Sequence, residues 1–140
     1  MLTKEEITHR LEEYDQSMVG NMGIEFLPPE PDGTFRATMP VDHRTRRPGG
    51  ILAGGSSLAL AETVAGFASL RICPKGKQAF GIQISANHIS MVREGDRVTA
   101  TATPIHIGRT THIWNVDVKS SAGKLISSVR VTNFICDIKL

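Results

Sequence analysis

The spacing of apolar residues predicts an amphipathic helix at the start of the chain. Thr3 followed by Glu6 matches a capping box, in which each side chain accepts a hydrogen bond from the other residue's backbone N–H. Apolar residues then recur at the spacing of one helical face, at Ile7, Leu11 and Tyr14. We therefore expect a short helix over residues 3–17.

Much of the remaining chain has the composition and the alternation of apolar and polar residues that are typical of strands. Extended segments are expected at residues 22–28, 33–41, 79–91, 96–107, 110–120 and 124–138. Turns rich in Gly, Pro and Asp separate them. The last three segments are joined by short turns and are expected to form an antiparallel meander, whereas residues 42–53 are expected to be a loop.

The segment from Gly54 to about Ile72 is small or apolar on nearly every side of a helix, which indicates a buried helix. A helix, two strands, a buried helix and four strands together predict an α+β domain, with an antiparallel sheet wrapped around the apolar helix. The 140 residues suffice for one domain, 1–140, with its own core. A buried helix that its own sheet covers on one side only also predicts a partner subunit.

Composition mainly excludes other classes of protein. The net charge of +2, from 16 basic and 14 acidic residues, is too small to indicate a nucleic-acid partner. Cys73 and Cys136 are far apart, and neither they nor the histidines have the spacing of metal ligands. The start of the chain lacks the apolar run of a signal peptide, and no stretch approaches the ~20 apolar residues of a membrane span. We expect a cytoplasmic protein that binds no metal, nucleic acid or membrane.

Glu62 is the unexpected residue in the apolar helix. Its helical neighbours three and four positions away carry no charge that would pair with it; they are Leu58, Ala59, Ala65 and Gly66. A buried, unpaired carboxylate is costly, so it is usually protonated or functional. The alternative is a Glu at a solvated or interface-facing edge of the helix, paired with an Arg from elsewhere.

Gly54 and Gly55 at the start of this helix are the second candidate feature. A helix N-terminus presents unpaired N–H groups to a carbonyl oxygen or oxyanion, and glycine lets the ligand approach closely. The alternative is an ordinary junction capped by Ser56 or Ser57. Gly54 and Glu62 are roughly 12 Å apart along a helix axis, so one carbonyl does not reach both in a single chain. If both act, the site is shared between subunits and requires a dimer.

Residues 39–62 carry a resemblance to a known family. They read MPVDHRTRRPGGILAGGSSLALAE, with support in residues 81–88 (GIQISANH), 93–95 (REG) and 104–109 (PIHIGR). Over about residues 20–135 the chain resembles the hotdog-fold acyl-CoA thioesterases of the phenylacetate-degradation (PaaI-like) type, which include 4-hydroxybenzoyl-CoA and 1,4-dihydroxy-2-naphthoyl-CoA thioesterases. The resemblance implies a long helix wrapped by an antiparallel sheet, assembled as a homodimer and usually as a homotetramer.

The resemblance also implies roles for individual residues. Glu62 would act as the nucleophile or as general base for water, and the Gly54 N–H would polarise the thioester carbonyl. No cofactor is implied beyond the coenzyme A of the substrate, whose phosphates Arg109 suits as a cation. The substrate-binding positions are Arg47, Ala53, Gly55, Gly66, Gly81, His88, Ile89, Ser90, Met91, His106, Ile107, Gly108, Arg109, Thr110 and Thr111.

Three positions depart from the family pattern. Ala53 occupies the place of a usual His, Arg47 that of a frequent Gln, and Gly66 that of a common Ser or Thr. The backbone donor at Gly54 needs no side chain and survives these changes. Side-chain hydrogen bonds that would orient the acyl group, the carboxylate or the water are lost, at a cost on the order of 10²-fold in rate. Ala53 and Gly66 also leave room for a bulkier acyl group.

The expected activity is hydrolysis of the thioester of an aryl or short- to medium-chain acyl-CoA. The alternative is an acyl-CoA-binding hotdog protein with weak or no catalysis, which the three departures favour. A serine hydrolase is disfavoured, because the GxSxG elbow is missing around Ser56 and Ser57. A hotdog hydratase is disfavoured, because Asp42 and His43 precede the Gly-Gly turn and do not resemble the hydratase Asp and His pair.

Overall fold

The computed structural model describes residues 2–140, and these form a six-stranded antiparallel sheet, a separate two-stranded hairpin and three helices. The strands are β1 (Glu25–Phe26), β2 (Phe35–Pro40), β3 (Arg46–Arg47), β4 (Ile51–Leu52), β5 (Gln78–His88), β6 (Arg97–Ile107), β7 (Thr111–Ser120) and β8 (Leu125–Cys136). The order across the large sheet is β1-β2-β6-β7-β8-β5. The predicted meander of the last three strands is therefore confirmed, and β5 pairs with β8 at the far edge.

The N-terminal helix, α1 (Lys4–Asp15), begins with the predicted capping box. The Thr3 hydroxyl accepts from the Glu6 N–H at 3.2 Å, and the Glu6 carboxylate accepts from the Thr3 N–H at 2.8 Å. The helix ends at Asp15, before the predicted position, because Ser17 caps a second short helix, α2 (Met18–Asn21). Within residues 2–140, no helix is both long and apolar enough to cross a membrane.

A short hairpin of β3 and β4 replaces part of the loop that was predicted before the long helix. Its turn depends on Gly49 and Gly50, whose φ values of 102° and 75° are rarely adopted by residues with side chains. The sequence pattern missed the hairpin because two-residue strands are too short to show alternation. The hairpin places Arg47 beside the start of the long helix.

The long helix, α3 (Gly54–Ile72), has the bounds that the sequence predicts. One face packs against the sheet through fully buried residues: Leu60, Ala61, Val64, Ala65 and Ala68. The alanines allow the helix to approach inward-facing strand residues such as Trp114, which is also fully buried. The opposite face, which includes Gly55, Glu62 and Gly66, is exposed or half-buried. The sheet therefore covers the helix on one side only, as expected, and the α+β architecture is confirmed.

Candidate active site

The N-terminus of α3 has no side-chain cap from residues 2–140. Ala53 occupies the cap position, and the N–H groups of Ser56 and Ser57 donate to its carbonyl at 3.0 and 3.3 Å. The alternative in which a serine caps the helix is wrong, because the Ser56 hydroxyl donates instead to the Thr45 carbonyl at 2.9 Å. Among the described residues no acceptor is found for the Gly54 N–H, so it is left for an oxygen from outside the helix.

The imidazole of His88 covers Gly54. A Cβ on Gly54 would lie 2.7 Å from His88 Nε2, so a residue with a side chain would collide with the ring. The other ring nitrogen, Nδ1, shares a hydrogen bond of 2.7 Å with the hydroxyl of Ser127, which is fully buried on β8. This bond holds the ring against the start of α3 with Nε2 directed towards Gly54.

A pocket of about 190 Å³ opens beside the start of α3. Five residues with a predicted catalytic or substrate-binding role line it: Arg47, Gly54, His88, Ser90 and Met91. The other lining residues are Ile51, Leu52, Ser57, Ile126 and Ser127. None of these described lining residues is acidic, and Arg47 supplies a positive charge. The pocket therefore suits an electron-rich or anionic group of a ligand.

Glu62 lies on the uncovered face of α3, over the backbone of β5. Its Oε1 is 2.5 Å from the point that a Cβ on Gly81 would occupy, so the glycine makes room for the carboxylate. A bulge between Gly81 and Gln83 bends the strand at this point. In the single chain the Glu62 side chain is exposed, so the interpretation of a Glu at a solvated or interface-facing edge describes its position and the buried alternative does not. The reason is that β5 is an edge strand and nothing in residues 2–140 covers this side of the helix.

Gly54 and Glu62 do not meet within one chain. Gly54 is next to His88 and Glu62 is next to Gly81, which lies near the other end of β5. The seven residue steps of extended strand from Gly81 to His88 span roughly 23 Å at 3.3 Å per residue. The pocket at Gly54 accordingly includes no part of Glu62. One chain supplies the two predicted reactive groups at two separate places.

Four other predicted substrate contacts border these two places. Ala53 is half-buried at the cap position of α3, and Ile89 is 55% exposed, next in the chain to the pocket-lining His88. Gly55 and Gly66 lie on the uncovered face of α3, and a Cβ at either position would have no neighbouring atom within 4 Å. The uncovered face is therefore open on both sides of Glu62.

The remaining predicted contacts form a segment away from the pocket that comprises the end of β6, the turn to β7 and the first residue of β7. Its exposed residues are His106, Ile107, Arg109 and Thr110. Gly108 closes the turn by donating its N–H to the Thr111 carbonyl at 2.8 Å. Through the ladder pairs of β8 and β7, Ile107 lies three strands from Gly81, about 14 Å at 4.8 Å per strand. The predicted coenzyme A contacts thus fall into two groups at different places.

A buried polar cluster joins α3 to β7 and β8. The Ser69 hydroxyl accepts from Trp114 Nε1 at 2.8 Å and from Asn133 Nδ2 at 2.9 Å. Its own proton is then directed to His112 Nδ1 at 2.9 Å, which leaves the ring proton of His112 on Nε2. Burial holds the pKa of His112 below its usual range, so the imidazole is neutral near pH 7.

Sequence reasoning missed the supporting residues Ser127, His112 and Asn133. All three are polar residues at inward positions of β7 or β8, where the alternation otherwise places apolar side chains. A buried polar side chain is nearly always hydrogen-bonded, so such an interruption indicates a specific partner. This interruption of the apolar pattern was the available signal.

The residue types that most often bind metals are dispersed in this structure. No group of three His, Cys, Asp or Glu side chains within residues 2–140 is close enough to hold a metal ion. Cys73 and Cys136 are free thiols, and burial raises the pKa of Cys73.

The family to which the chain belongs follows from comparison with known proteins. The sequence model of the thioesterase superfamily matches residues 49–127, more than half of the chain. The chain therefore belongs to the thioesterase superfamily. Its sheet and central helix form the hotdog fold, and the protein is a thioester hydrolase.

Individual relatives agree with this assignment. The 1,4-dihydroxy-2-naphthoyl-CoA hydrolase of Escherichia coli is 40% identical over 120 residues, which cover 85% of this chain and 86% of the relative. A Haemophilus influenzae protein provisionally named an esterase is 45% identical over 116 residues, 83% of each chain. The crystal structure of a thioesterase from the same organism matches with a TM-score of 0.88 and 38% identity, covering 99% of this chain and 94% of the other.

Proposed function

We propose that this protein hydrolyses the thioester of an aryl or short- to medium-chain acyl-CoA. The observation that carries the proposal is the free N–H of Gly54 at an uncapped helix start, together with a carboxylate, Glu62, on the open face of the same helix. The activity of the E. coli relative, a hydrolase of 1,4-dihydroxy-2-naphthoyl-CoA, supports the aryl class. Within thioester hydrolysis, we therefore assign the protein to the phenylacetate-degradation (PaaI-like) type of the family.

The proposed chemistry assigns one task to each group. The Gly54 N–H donates to the thioester oxygen and stabilises the negative charge that develops as the carbonyl carbon becomes tetrahedral. Glu62 either removes a proton from the attacking water or attacks the carbonyl carbon itself, forming an anhydride that water then hydrolyses. In both routes the C–S bond breaks, coenzyme A leaves as a thiol, and the acyl group leaves as a carboxylic acid.

The site is proposed to lie between two subunits. Gly54 and Glu62 of one chain are too far apart to share a carbonyl, and the helix face that carries Glu62 is uncovered. β5 is a long edge strand with free backbone groups, and Ile82 on it is 61% exposed. A second copy that pairs along β5 would cover Glu62 and bring it towards the partner's Gly54. A homodimer is therefore the minimum active unit, and a homotetramer is the proposed assembly.

Coenzyme A is proposed to contact both groups of exposed residues. His88, Ser90 and Met91 lie at the pocket, where the end of the pantetheine chain would enter. Arg109 and Thr110 at the β6–β7 turn offer a cation and a hydroxyl to phosphates. Because this turn is far from Gly81 in the same chain, it would serve the site from another subunit or at the distal end of the ligand.

The decisive experiment measures thiol release from a panel of aryl, short-chain and long-chain acyl-CoAs. Native protein should hydrolyse the aryl or short to medium substrates, and Glu62→Gln should be at least ~10²-fold slower, the scale for loss of an essential base or nucleophile. Glu12→Gln, which changes an exposed carboxylate on α1, is the matched control and should leave the rate unchanged. Equal background rates in native protein and Glu62→Gln would refute the proposal.

The second candidate function is binding of acyl-CoA with little catalysis. Three departures from the family pattern favour it: Ala53, Arg47 and Gly66. Retained coenzyme A binding with background hydrolysis in the native protein would support this candidate. Ala53→His then tests whether the missing side chain limits the rate, since the half-buried cap position borders the pocket.

Assembly is tested separately by dilution. Activity per subunit should fall when dilution dissociates the dimer. The activity and the mass of the protein in solution are measured at each concentration. A stable monomer with full activity would contradict a shared site, without contradicting the role of Glu62.

A further inference from the structure

Asn133 connects α3 to the strand pair on which Glu62 rests. It lies on β8 directly opposite Gly81 of β5, the glycine under the Glu62 carboxylate. The Asn133 side chain is fully buried and donates through Nδ2 to the Ala65 carbonyl at 3.0 Å and to the Ser69 hydroxyl at 2.9 Å. Ala65 is one helical turn after Glu62, so this amide holds the part of the helix that carries the carboxylate.

The orientation of the Asn133 amide follows from its partners. The Ala65 carbonyl only accepts hydrogen bonds, so it must face the NH₂ group. Oδ1 of Asn133 is then buried without a donor among the described residues. An amide with one unpaired atom stabilises a core less than a well-packed apolar residue of similar shape. Its presence here therefore indicates a requirement for directed hydrogen bonds, which packing alone does not meet.

The second partner of Asn133 is itself held from other strands. Ser69 is two helical turns after Glu62, and its side chain is buried against the sheet. Its hydroxyl also accepts from Trp114 Nε1 at 2.8 Å and contacts His112 Nδ1 at 2.9 Å. The cluster therefore fixes α3 against β7 and β8 at one place along the helix. Among its members, Asn133 alone is paired in the sheet with the glycine under Glu62.

We propose that Asn133 is a positioning residue for thioester hydrolysis. By joining Ala65 and Ser69 of α3 to β8 opposite Gly81, it holds the Glu62 carboxylate at the height and angle from which it acts on the thioester. Asn133 itself is buried and does not touch the substrate. Small displacements of a reacting group lower the rate strongly, while binding of the rest of the substrate is unaffected. The inference rests on the proposed function of Glu62.

The test compares two variants whose new side chains are isosteric with each other, Asn133→Val and Asn133→Thr. Valine and threonine have nearly the same shape and both favour strands, but only threonine keeps a hydroxyl that can donate to Ala65 or Ser69. For an acyl-CoA that the native protein hydrolyses, we expect Asn133→Val to lower kcat about tenfold or more with KM within about twofold, and Asn133→Thr to recover part of kcat. An unchanged kcat in Asn133→Val, or a rise in KM alone, would overturn the proposal.

Trp114→Phe is the matched control, because it removes another hydrogen bond to Ser69 but leaves the Asn133 contacts in place. It should lower the thermal unfolding midpoint without lowering kcat. If Trp114→Phe lowers kcat as much as Asn133→Val does at a similar loss of stability, Asn133 is merely structural. If Glu62→Gln retains the native rate, it is the proposed function that fails. If Glu62→Gln is inactive while Asn133→Val has the native rate, only the positioning role of Asn133 is refuted.

Discussion

The Glu62 carboxylate occupies the space that a side chain on Gly81 would fill, since its Oε1 is 2.5 Å from the position of a Cβ there. The φ angle of Gly81 is not in the positive region, so its backbone does not require glycine. What requires glycine is the carboxylate above it. Gly81 and Glu62 therefore form one unit, in which an edge strand supports the predicted reactive group of the long helix.

Gly81→Ala should separate activity from stability. The three atoms nearest to the added methyl group all belong to the flexible side chain of Glu62, so the carboxylate moves and the fold changes little. We expect kcat to fall about tenfold or more, since misplacement of a reacting group has that scale, with a stability change under about 1 kcal/mol. Steady-state kinetics and thermal unfolding measure the two quantities.

Two controls accompany this variant. Ser85→Ala changes another exposed position of β5 and should leave kcat at the native value. In a Glu62→Gln background, Gly81→Ala should have no further effect on the residual rate, because the two changes act through the same group. Additive losses in the double variant would show that Gly81 acts independently of Glu62.

Gly66→Ser should raise activity by returning a hydroxyl to the helix position one turn after Glu62. A Cβ at Gly66 would have no atom within 4 Å, so the serine side chain fits without displacing a neighbour. We expect a rise in kcat of several-fold, up to about the 10²-fold scale of a positioned hydrogen-bond donor. Steady-state kinetics on the same aryl substrate gives the value.

Gly66→Ala separates the hydroxyl from the backbone effect. Replacement of a mid-helix glycine by alanine stabilises a helix by about 0.8–1.0 kcal/mol without adding a hydrogen-bonding group. A higher thermal midpoint with native kcat is expected for the alanine variant. Equal kcat values in the serine and alanine variants would contradict a role for the hydroxyl.

Ser127→Ala should weaken substrate binding through His88. The alanine removes the 2.7 Å hydrogen bond to Nδ1, and the ring is then no longer held over Gly54. We expect KM to rise about three- to tenfold, the loss of roughly one hydrogen bond, with a smaller change in kcat. The neighbouring Ser128→Ala, on the outward side of β8, should leave KM unchanged. If KM for Ser127→Ala equals the native value, the position of the His88 ring does not contribute to substrate binding.

The elements whose pattern is local were predicted well. The start of α1 follows from Thr3 and Glu6, and the bounds of α3 follow from a long run of small and apolar residues. The meander follows from alternation and short turns, which specify nearest neighbours in the sheet. The edge position of β5 was not predicted, because it depends on which strand is free to pair with β8 and no local pattern reports that.

The roles of the candidate site residues stay predictions, whereas their surroundings are described by the structure and were only partly predicted. Gly54 and Glu62 are conspicuous by their residue type in an apolar helix, so sequence alone proposes them as candidates. The sequence left the burial of Glu62 open between two interpretations, because helical periodicity shows that a face is apolar and not whether the sheet reaches it. The hydrogen bonds of Asn133 were missed because its partners lie more than 60 residues away in sequence, at Ala65 and Ser69.

His112 should make the stability of the protein depend on pH at mildly acid pH, above the range in which carboxylates titrate. Burial lowers the pKa of His112 in the folded state below the unfolded value of about 6.5, so the unfolded chain binds more protons at mildly acid pH. The corresponding stability is therefore fully present above about pH 6.5 and is lost as pH falls below it, by at most about 1.4 kcal/mol per pH unit for one group. Protonation also turns Nδ1 into a donor and disrupts the bond from Ser69.

The measurement is the free energy of unfolding between pH 7.5 and pH 5 in the native protein, in His112→Gln and in His106→Gln. Glutamine at position 112 keeps an amide acceptor for Ser69 and has no proton to gain, so the pH dependence should become flatter. His106 is an exposed histidine near the β6–β7 turn whose charge is a lesser cause of the lowered pKa of His112, so its replacement should change the slope much less than His112→Gln does. If His112→Gln keeps the native slope while His106→Gln removes it, the group responsible is the exposed histidine and not the one in the cluster with Ser69 and Asn133.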